Sequence, residues 1–410
     1  MRTEERITGI KDLGIIGGGA AGLFAACFAC EKGMSFELLE KMSSCGNKLL
    51  LTGHGRCNIL NLKAAPELKS CYHGKGNFLY PALASFPPSE AFAFIENVLV
   101  LKLTEEDNNR IFPVSGKARD VRDALVSFIG EDNIRYNFRA VSLSQDGSGI
   151  WTVTSEDGRE GRYKNIILAT GGMSFPKTGS SGDSYKLAQS LGYEIVPPKA
   201  ALAPVRISGR DDLDIPAGLT VKGCIAKITE GDKVLSQTEG DVLFTHDGLS
   251  GPAVMELARG VKRGTVITLD MAPDLSDKVL TESMDQSPTR KFVNVLSSFI
   301  PGSLAEYAAG CSGASSDITC AKTTKDVRRK ALSAVKTFTV TASQDPDIGT
   351  AYVTAGGIDV SGFDRKTMGS KTHKGLYVIG EALDIDGISG GYNLTACIAG
   401  ARLAVGSIGI

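Results

Sequence analysis

The chain has 410 residues, which is too many for one compact core and predicts two or three domains. Apolar residues make up 42% and charged residues 22%, as in ordinary globular proteins, and the net charge of −1 argues against a global attraction to nucleic acid or membranes. Nine cysteines at irregular spacing argue against a disulfide framework and indicate a reducing, cytoplasmic compartment, and four scattered histidines predict no metal site.

The start of the chain, MRTEERITGIKD, is polar and contains no long apolar segment. We therefore expect neither a signal peptide nor a membrane-spanning helix at this end.

A glycine motif follows the first predicted strand. The apolar run at residues 13–16 leads into Gly17, Gly19 and Gly22 at G-x-G-x-x-G spacing, a small-residue helix follows, and a second strand ends at Glu40. In a Rossmann unit the first glycine allows a tight turn, the second lets a pyrophosphate approach the backbone, and the third lets the helix pack on the sheet. An acidic residue about 20 positions on accepts hydrogen bonds from a ribose. The pattern predicts a dinucleotide site; a glycine-rich turn in an ordinary α/β domain is the alternative.

The following elements mix helical and strand-like patterns. Helices are predicted at 88–98 and 117–129, and a β-meander over 133–158 precedes a buried apolar strand that leads into Gly171.

The middle of the chain differs in pattern from both ends. Residues 193–350 contain short strand-like runs around a polar helical stretch at about 276–325, and the glycine-rich pattern returns after residue 350. We therefore predict an α/β fold in which a nucleotide-binding domain of residues 1–192 and 351–410 is interrupted by a β-rich inserted domain of residues 193–350.

Glycine-rich turns follow three widely separated strands, at Gly17, Gly171 and Gly380. Three strands that end at one crevice suit a long cofactor across the sheet edge, which favours FAD over NAD as the tightly bound, non-covalent cofactor. Glu381, directly after Gly380, is the candidate ribityl contact. The turn at 390–394 precedes a small-residue helix whose N-terminus would stabilise negative charge on the flavin; a turn that only packs against the sheet is the alternative.

No nucleophile and base form a catalytic set, and hydride transfer by a flavin needs none. Cys57 is a candidate redox thiol, although a packing role is favoured, and Cys27 and Cys30 are interpreted as packing residues of the first helix. His246 is the best acid–base candidate because histidine titrates near neutral pH, with a structural loop role equally open. Tyr392 is a candidate proton donor, with packing as its alternative.

Several longer segments match one bacterial flavoprotein family in the same order along the chain. They are GIIGGGAAGLFAA, NKLLLTGHGRCNILN, RIFPVSGKARDV, ILATGGMSFPKTGSSGDSYKLAQSLGY, GDVLFTHDGLSGPAVMELA, AYVTAGGIDV and TMGSKTHKGLYVIGEALDIDGISGGYNL. The chain resembles the aminoacetone-oxidase-like FAD-binding flavoproteins, a family that also includes reductases of conjugated enones such as bile-acid-type steroids. The resemblance implies a discontinuous FAD domain of the two-dinucleotide-binding type, with an insert made of a β-barrel-like part and a small helical part.

The resemblance also implies roles for individual residues. Those implied at the pyrophosphate and adenosine are Gly17, Gly19, Ala20, Ala21, Gly22, Glu40, Lys41, Val141 through its backbone, Ala169, Thr170 and Gly171. Those implied toward the flavin are Asn47, Lys48, Thr52, Gly53, Cys57, Asn58, Gly380, Glu381, Gly391, Tyr392, Asn393 and Leu394. The chain departs from the family at Gly14, where a larger apolar residue is usual and weaker packing is expected. It also carries His54 at a variable position, for which we expect no essential role.

Together these patterns predict an FAD-dependent oxidoreductase that transfers hydride between the flavin and a small organic substrate, with NAD(P)H as a transient donor, as in enone reductases. Three alternatives remain open: an amine oxidase that uses oxygen and aminoacetone-like substrates, a non-catalytic flavin redox sensor, and a flavoprotein that modifies nucleic acid. The near-zero net charge argues against the last. We expect no metal, nucleic-acid or membrane partner, and the oligomeric state stays open.

Overall fold

The computed structural model describes residues 9–231 and 233–409. The expectation about a signal peptide rests partly on residues 1–8, which lie outside the described residues. The strands are β1 (Lys11–Ile16), β2 (Phe36–Leu39), β3 (Leu60–Asn61), β4 (Leu103–Glu106), β5 (Arg110–Pro113), β6 (Ile134–Arg135), β7 (Ala140–Gln145), β8 (Trp151–Ser155), β9 (Glu160–Leu168), β10 (Ile195–Ala201), β11 (Val205–Arg206), β12 (Thr220–Glu230), β13 (Lys233–Phe244), β14 (Gly248–Ser250), β15 (Val266–Asp270), β16 (Phe338–Thr341), β17 (Val353–Ile358) and β18 (Leu376–Val378).

The α-helices are α1 (Ala20–Glu31), α2 (Ala65–Leu68), α3 (Gly76–Ser85), α4 (Pro88–Asn97), α5 (Ala118–Ile129), α6 (Asp183–Ser190), α7 (Pro252–Leu257), α8 (Asp277–Asp285), α9 (Phe292–Leu296), α10 (Gly302–Cys311), α11 (Lys325–Lys336) and α12 (Tyr392–Ser407). The helices predicted at 88–98 and 117–129 are confirmed as α4 and α5. Among the described residues, no helix has both the length and the apolar character needed to cross a bilayer.

The chain divides into two compact units. Unit 1 comprises the residues up to Lys199 and from Tyr352 onward, and unit 2 comprises Ala200–Ala351. The sequence prediction placed the same two borders at residues 193 and 350. β10 pairs with β17 in a two-stranded sheet, and this pairing holds residues 195–199 in unit 1.

The largest sheet of unit 1 brings four strand ends into one row. Its order is β6-β2-β1-β9-β8-β7, with β18 also paired to β9. β6, β2, β1, β9 and β18 are parallel to their neighbours, whereas β7, β8 and the first part of β9 form an antiparallel meander. Ile16 lies opposite Leu39 and Leu168, and Leu168 lies opposite Val378. The turns that follow β1, β2, β9 and β18 therefore share one edge of the sheet, as the α/β prediction requires.

Helix α1 is apolar on all sides, and the sheet, α5 and α12 enclose it. A helix that is hydrophobic all round is expected in such a buried position. Residues 21–29 are all buried. The thiols of Cys27 and Cys30 lie 3.9 Å from the carbonyl oxygens of Leu125 and Ile129, respectively, and both thiols are free. This environment supports a packing role for the two cysteines.

The expectation that Gly14 weakens the packing of β1 is wrong. A Cβ at Gly14 would lie 2.7 Å from the Tyr163 ring, and the same ring covers Gly161. The Tyr163 ring is buried and its hydroxyl donates to Glu37. Because the aromatic ring fills the space above both glycines, the strand keeps its packing without a side chain of its own.

Unit 2 contains a closed barrel. Its six-stranded sheet has the order β11-β14-β13-β12-β15-β16, and the pairs described within it are antiparallel. The two outer strands meet through a bridge between Ile207 and Ala342 and a 2.8 Å hydrogen bond from the Ser208 N–H to the Thr341 carbonyl oxygen. These contacts join the two edge strands of the sheet to each other, which closes the sheet into a barrel. The predicted β-barrel-like part is therefore confirmed.

The helical part of unit 2 consists of α8 to α11. The predicted end of this part, at about residue 325, is too early, because α11 runs on to Lys336. The amphipathic pattern explains the extension: Ala331, Leu332 and Val335 are buried in the core of the unit, while charged residues fill the other face.

Candidate functional site

The turn after β1, at residues 17–19, forms an open backbone site at the N-terminus of α1, here called the cradle. Gly17 has a φ of +106°, and a Cβ there would lie 2.6 Å from the Ala169 carbonyl oxygen. A Cβ on Gly22 would lie 1.8 Å from the Gly17 carbonyl oxygen, so α1, which begins at Ala20, sits directly on the turn. A Cβ on Gly19, in contrast, would meet nothing within 4 Å, and no side chain caps α1. The open space and the helix N-terminus fit a pyrophosphate group.

The turns after β9 and β18 lie at the same edge of the sheet. Gly171 has a φ of +74°, and the neighbouring Thr170 hydroxyl accepts from the Ser184 N–H at 3.0 Å. Gly380 has a φ of +67°, and a Cβ there would lie 2.8 Å from the Cβ of Ala21. The structure therefore brings the three predicted glycine turns together around the start of α1.

Glu40 lies at the end of β2 beside the cradle. Its Oε2 accepts from the Gly18 N–H at 2.6 Å and its Oε1 from the Met42 N–H at 2.7 Å. The side chain is 8% exposed, and burial raises its pKa above the ordinary value of 4.5, although the two hydrogen bonds act in the opposite direction. Each oxygen keeps a second lone pair, so the carboxylate retains acceptor capacity for the hydroxyls of a ribose.

Acidification is expected to weaken FAD binding through Glu40. Because its pKa is raised, Glu40 becomes half-protonated at a pH above 4.5. A protonated carboxyl is a poorer acceptor for the ribose hydroxyls. The affinity should fall as the pH drops through that pKa, by at most about tenfold per pH unit for one proton. Burial of the charged carboxylate also destabilises the fold, so the apoprotein is more stable when Glu40 is protonated. This stabilisation is present at low pH and is lost as the pH rises through the pKa of Glu40. Titrations of FAD into the apoprotein between pH 5 and 8, with Glu40→Gln as the pH-insensitive control, measure the effect.

Asp183 pairs with two cationic side chains, and one of them, Lys41, directly follows Glu40 in the sequence. Lys41 Nζ donates to Asp183 Oδ2 at 2.7 Å, and Arg139 donates to Oδ1 at 3.1 Å. Burial acts to raise the pKa of Asp183, but the hydrogen bonds from Arg139 and Lys41 outweigh it and lower the pKa. A cleft of about 490 Å³ is lined by Lys41, Arg139 and Ser181 among others. Lys41 was predicted from the sequence, but Asp183 and Arg139 were not. Asp183 lies within a segment that matches the family, whereas Arg139 lies outside all of these segments.

Val141 lies at a β-bulge. The register of β7 against β8 shifts between Ala140 and Ser142, and the Val141 side chain is 48% exposed. A bulged residue keeps its backbone groups outside the regular ladder. This geometry suits the contact with adenine through the backbone that the family resemblance implies.

The segment that follows β2 contains the Leu49–Gly55 3₁₀ turn, in which Gly53, His54 and Gly55 have positive φ angles. The Thr52 hydroxyl donates to the Leu49 carbonyl oxygen at 2.7 Å, and the Asn47 amide donates to the Ser44 carbonyl oxygen at 3.1 Å. The side chains of Thr52 and Asn47 therefore stabilise the loop itself. His54 is exposed.

Cys57 is fully buried and adopts a left-handed backbone conformation with a φ of +63°. Burial raises the pKa of its thiol to about 12, although a hydrogen bond with Thr52 opposes this shift. The thiol is therefore protonated at neutral pH, and only the thiolate is a good nucleophile. The geometry favours the packing alternative for Cys57.

Lys48 and Glu381, which both carry predicted roles toward the flavin, form an ion pair. Lys48 Nζ lies 2.8 Å from Glu381 Oε2, and the two side chains are 22% and 19% exposed. Glu381 Oε1 also accepts from the Ser174 hydroxyl at 2.9 Å and from the Thr354 N–H at 2.7 Å. Lys48 donates to the Ser174 hydroxyl as well. Ser174 and Thr354 were not predicted as site residues, although both lie close to a Gly-Gly pair within segments that match the family.

The turn before α12 is held by side-chain amides. The Asn58 amide, oriented to satisfy its neighbours, accepts from the Gly391 N–H at 3.1 Å. Asn393 closes the preceding loop, because its Oδ1 accepts from the Gly387 N–H at 2.8 Å and its Nδ2 donates to the Gly387 carbonyl oxygen at 3.0 Å. Leu394 packs against the core of unit 1. The side chains of Asn58 and Asn393 thus shape the turn.

Tyr392 folds back over the same turn. Its ring lies 2.8 Å from the position that a Cβ on Gly390 would take, and the Tyr72 hydroxyl donates to its carbonyl oxygen at 3.0 Å. Lys63 Nζ lies 5.5 Å from the centre of the ring. Burial raises the pKa of Tyr392, so the phenol holds its proton at neutral pH. These contacts supply the packing role that was the alternative for Tyr392.

His246 belongs to unit 2, whereas Cys57 and Tyr392 belong to unit 1. It is an exposed residue in the turn between β13 and β14. The adjacent Asp247 pairs with Arg206 at 2.8 Å, which anchors the turn. A catalytic role for His246 stays a prediction. The described residues contain no cluster of three or more metal-ligating side chains.

A family model described as the HI0933-like protein Rossmann domain matches residues 11–407. The chain belongs to this family. HI0933-like proteins bind FAD, and the open cradle at Gly19, the Glu40 carboxylate and the shared sheet edge fit that cofactor. The chain is therefore an FAD-dependent oxidoreductase, which confirms the predicted family type, fold and cofactor.

Three similar proteins match nearly the full length of the HI0933-like chain. The chain is 29% identical over 385 residues, 92% of its length and 93% of the relative's, to the ribosomal RNA dihydrouridine synthase of Escherichia coli K12. It is 28% identical over 397 residues, 93% of its length and 95% of the relative's, to the 3-dehydro-bile acid delta(4,6)-reductase of Clostridium scindens. The 3-ketosteroid delta1-dehydrogenase of Sterolibacterium denitrificans, at 13% identity, shares the fold with a TM-score of 0.55 over 98% of this chain and 99% of its own.

Proposed function

We propose that this HI0933-like protein reduces a carbon–carbon double bond conjugated to a carbonyl group in a small organic molecule, with NAD(P)H as the transient electron donor. The observation that carries the proposal is the near full-length similarity to a protein named as a bile-acid delta(4,6)-reductase. In the overall reaction one hydride from NAD(P)H and one proton from the medium are added across the double bond, and NAD(P)⁺ is released. FAD supplies the relay of the hydride when it is bound.

The residues of unit 1 support this reaction by binding and orienting the cofactor. The cradle at Gly19 and the Glu40 carboxylate would hold its nucleotide end, and the Lys48–Glu381 pair lies at the carboxyl edge of the same sheet. Neither candidate in unit 1 is suited to act as a nucleophile, because the Cys57 thiol is protonated and the Tyr392 ring is packed over its own turn. This agrees with a reaction in which the protein positions reactants and forms no covalent bond.

Reduction of uracil in ribosomal RNA is the second candidate, favoured by the relatives named as ribosomal RNA dihydrouridine synthases. Dihydrouridine differs from uridine by two hydrogens across a double bond that is itself conjugated to a carbonyl group, so both candidates involve the same bond type. The net charge of −1 gives little attraction to a polyanion. The basic run at 322–330 is partly neutralised, because Arg328 pairs with Asp277 and Lys330 with Asp326. These charges favour the small molecule.

Anaerobic stopped-flow absorbance of the FAD-loaded protein tests the proposal. Mixing with NADH or NADPH is expected to bleach the flavin band, and a conjugated steroid enone added afterwards should restore it, while the saturated ketone of the same skeleton should not. Restoration by uridine-containing ribosomal RNA alone would favour the second candidate. Bleaching by aminoacetone, with peroxide formed in air, would identify an amine oxidase. An absence of bleaching by any donor would contradict the reductase and favour a redox sensor.

A further inference from the structure

Thr354 lies at the centre of a buried hydroxyl network in unit 1. The residue is fully buried on β17. Its Oγ1 accepts from the N–H groups of Met173 at 2.9 Å and Ser174 at 3.0 Å, and it donates to the Ser174 hydroxyl at 3.2 Å. A hydroxyl has one donor and two acceptor sites, so the hydrogen-bonding capacity of Thr354 is complete.

The backbone of Thr354 carries a second connection. Its N–H donates to Glu381 Oε1, which also receives the Ser174 hydroxyl. Thr354 therefore joins the loop after β9, which contains Met173 and Ser174, to the turn after β18, which contains Glu381. These two turns are far apart in sequence, and the parallel pairing of β18 with β9 brings them together at the carboxyl edge of the sheet.

Gly172, in the loop after β9, lies close to both Thr354 and Glu381. A Cβ on Gly172 would lie 2.3 Å from Thr354 Oγ1 and 2.7 Å from Glu381 Oε1. The loop after β9 therefore lies directly against both groups. A small displacement of this loop would move the Ser174 hydroxyl, and with it the Lys48–Glu381 pair that Ser174 contacts.

We propose that Thr354 is a positioning residue for the cofactor: its hydroxyl holds the loop after β9 in register with the Lys48–Glu381 pair. The inference rests on the proposed location of the flavin at this edge. Valine has the shape of threonine but no acceptor, so Thr354→Val would leave the Met173 and Ser174 N–H groups unpaired inside the protein. The loop after β9 would lose its fixed conformation in the apoprotein. FAD binding would have to order this loop again, and that free-energy cost would lower the affinity for FAD.

The test is FAD affinity, measured by titrating the apoprotein variants with FAD and following flavin fluorescence. Thr354→Val is expected to weaken FAD binding by about tenfold, whereas Thr354→Ser, which keeps the hydroxyl, should bind within about twofold of the wild type. Thr238→Val is the matched control, because it removes a hydroxyl that donates to the Ala253 carbonyl oxygen in unit 2. This control should leave FAD affinity unchanged even where the melting temperature falls.

Either of two results would overturn the proposal: wild-type FAD affinity in Thr354→Val, or equally weak binding in Thr354→Ser. If Thr354→Val does not fold, Ser174→Ala takes its place, because it removes one hydroxyl from the same network and should also weaken FAD binding. Wild-type FAD affinity in that variant would overturn the proposal too. The titration involves no substrate, so a failure of enone reduction with normal FAD binding contradicts the proposed function alone.

Discussion

Replacing Gly19 with alanine is expected to remove tight FAD binding while the apoprotein stays folded. The Cβ at this position meets no atom of the protein within 4 Å, and the backbone has an ordinary φ of −77°. A methyl group here would instead occupy the space in which the pyrophosphate approaches the N-terminus of α1. We expect FAD affinity to fall about 100-fold or more, which corresponds to about 2.7 kcal/mol.

The measurement pairs FAD titration with thermal unfolding of the apoprotein. Gly147→Ala is the matched control, because a Cβ at Gly147, in the turn between β7 and β8, also meets nothing within 4 Å. Both variants should melt near the wild-type temperature, and only Gly19→Ala should lose FAD. Normal FAD affinity in Gly19→Ala would show that the pyrophosphate does not lie at this turn.

Replacing Glu381 with leucine is expected to lower the free energy of unfolding of the apoprotein by about 3 kcal/mol, the lower end of the range for breaking a buried ion pair. The variant leaves the Lys48 ammonium, the Thr354 N–H and the Ser174 hydroxyl without their common acceptor. The lower end applies because both charged side chains keep some contact with water. FAD affinity should fall as well, since two turns at the sheet edge lose their connection.

Urea denaturation of the apoprotein measures this effect, and a double-mutant cycle with Lys48→Met isolates the pair. The double variant should recover part of the loss, because no unpaired charge remains. Glu156→Leu is the surface control: its pair with Arg139 is exposed, and such pairs contribute at most about 1 kcal/mol. Equal losses in Glu381→Leu and Glu156→Leu would show that the Lys48–Glu381 pair has no special stabilising role.

Much of the fold follows from short-range patterns. The spacing of Gly17, Gly19 and Gly22 and the position of Glu40 identify a Rossmann turn, because each residue performs its task within one strand–turn–helix unit. The continuous apolar runs of β1 and β9 indicate parallel strands covered on both faces, and this is their environment in unit 1. The barrel of unit 2 was predicted only in outline, since the closure between Ile207 and Ala342 leaves no local signal.

The sequence by itself determined the family, through its longer matching segments. It also determined the α/β fold and the FAD cofactor, because glycines and apolar runs report local backbone geometry. The edge of the sheet at which FAD would bind stays a prediction. Only the tertiary structure decided that Lys48 pairs with Glu381, that Ser174 and Thr354 complete this network, and that Tyr163 fills the space above Gly14. Each of these contacts joins residues from separate segments of the chain. Such contacts depend on strand register and helix packing, so no spacing rule along the chain predicts them.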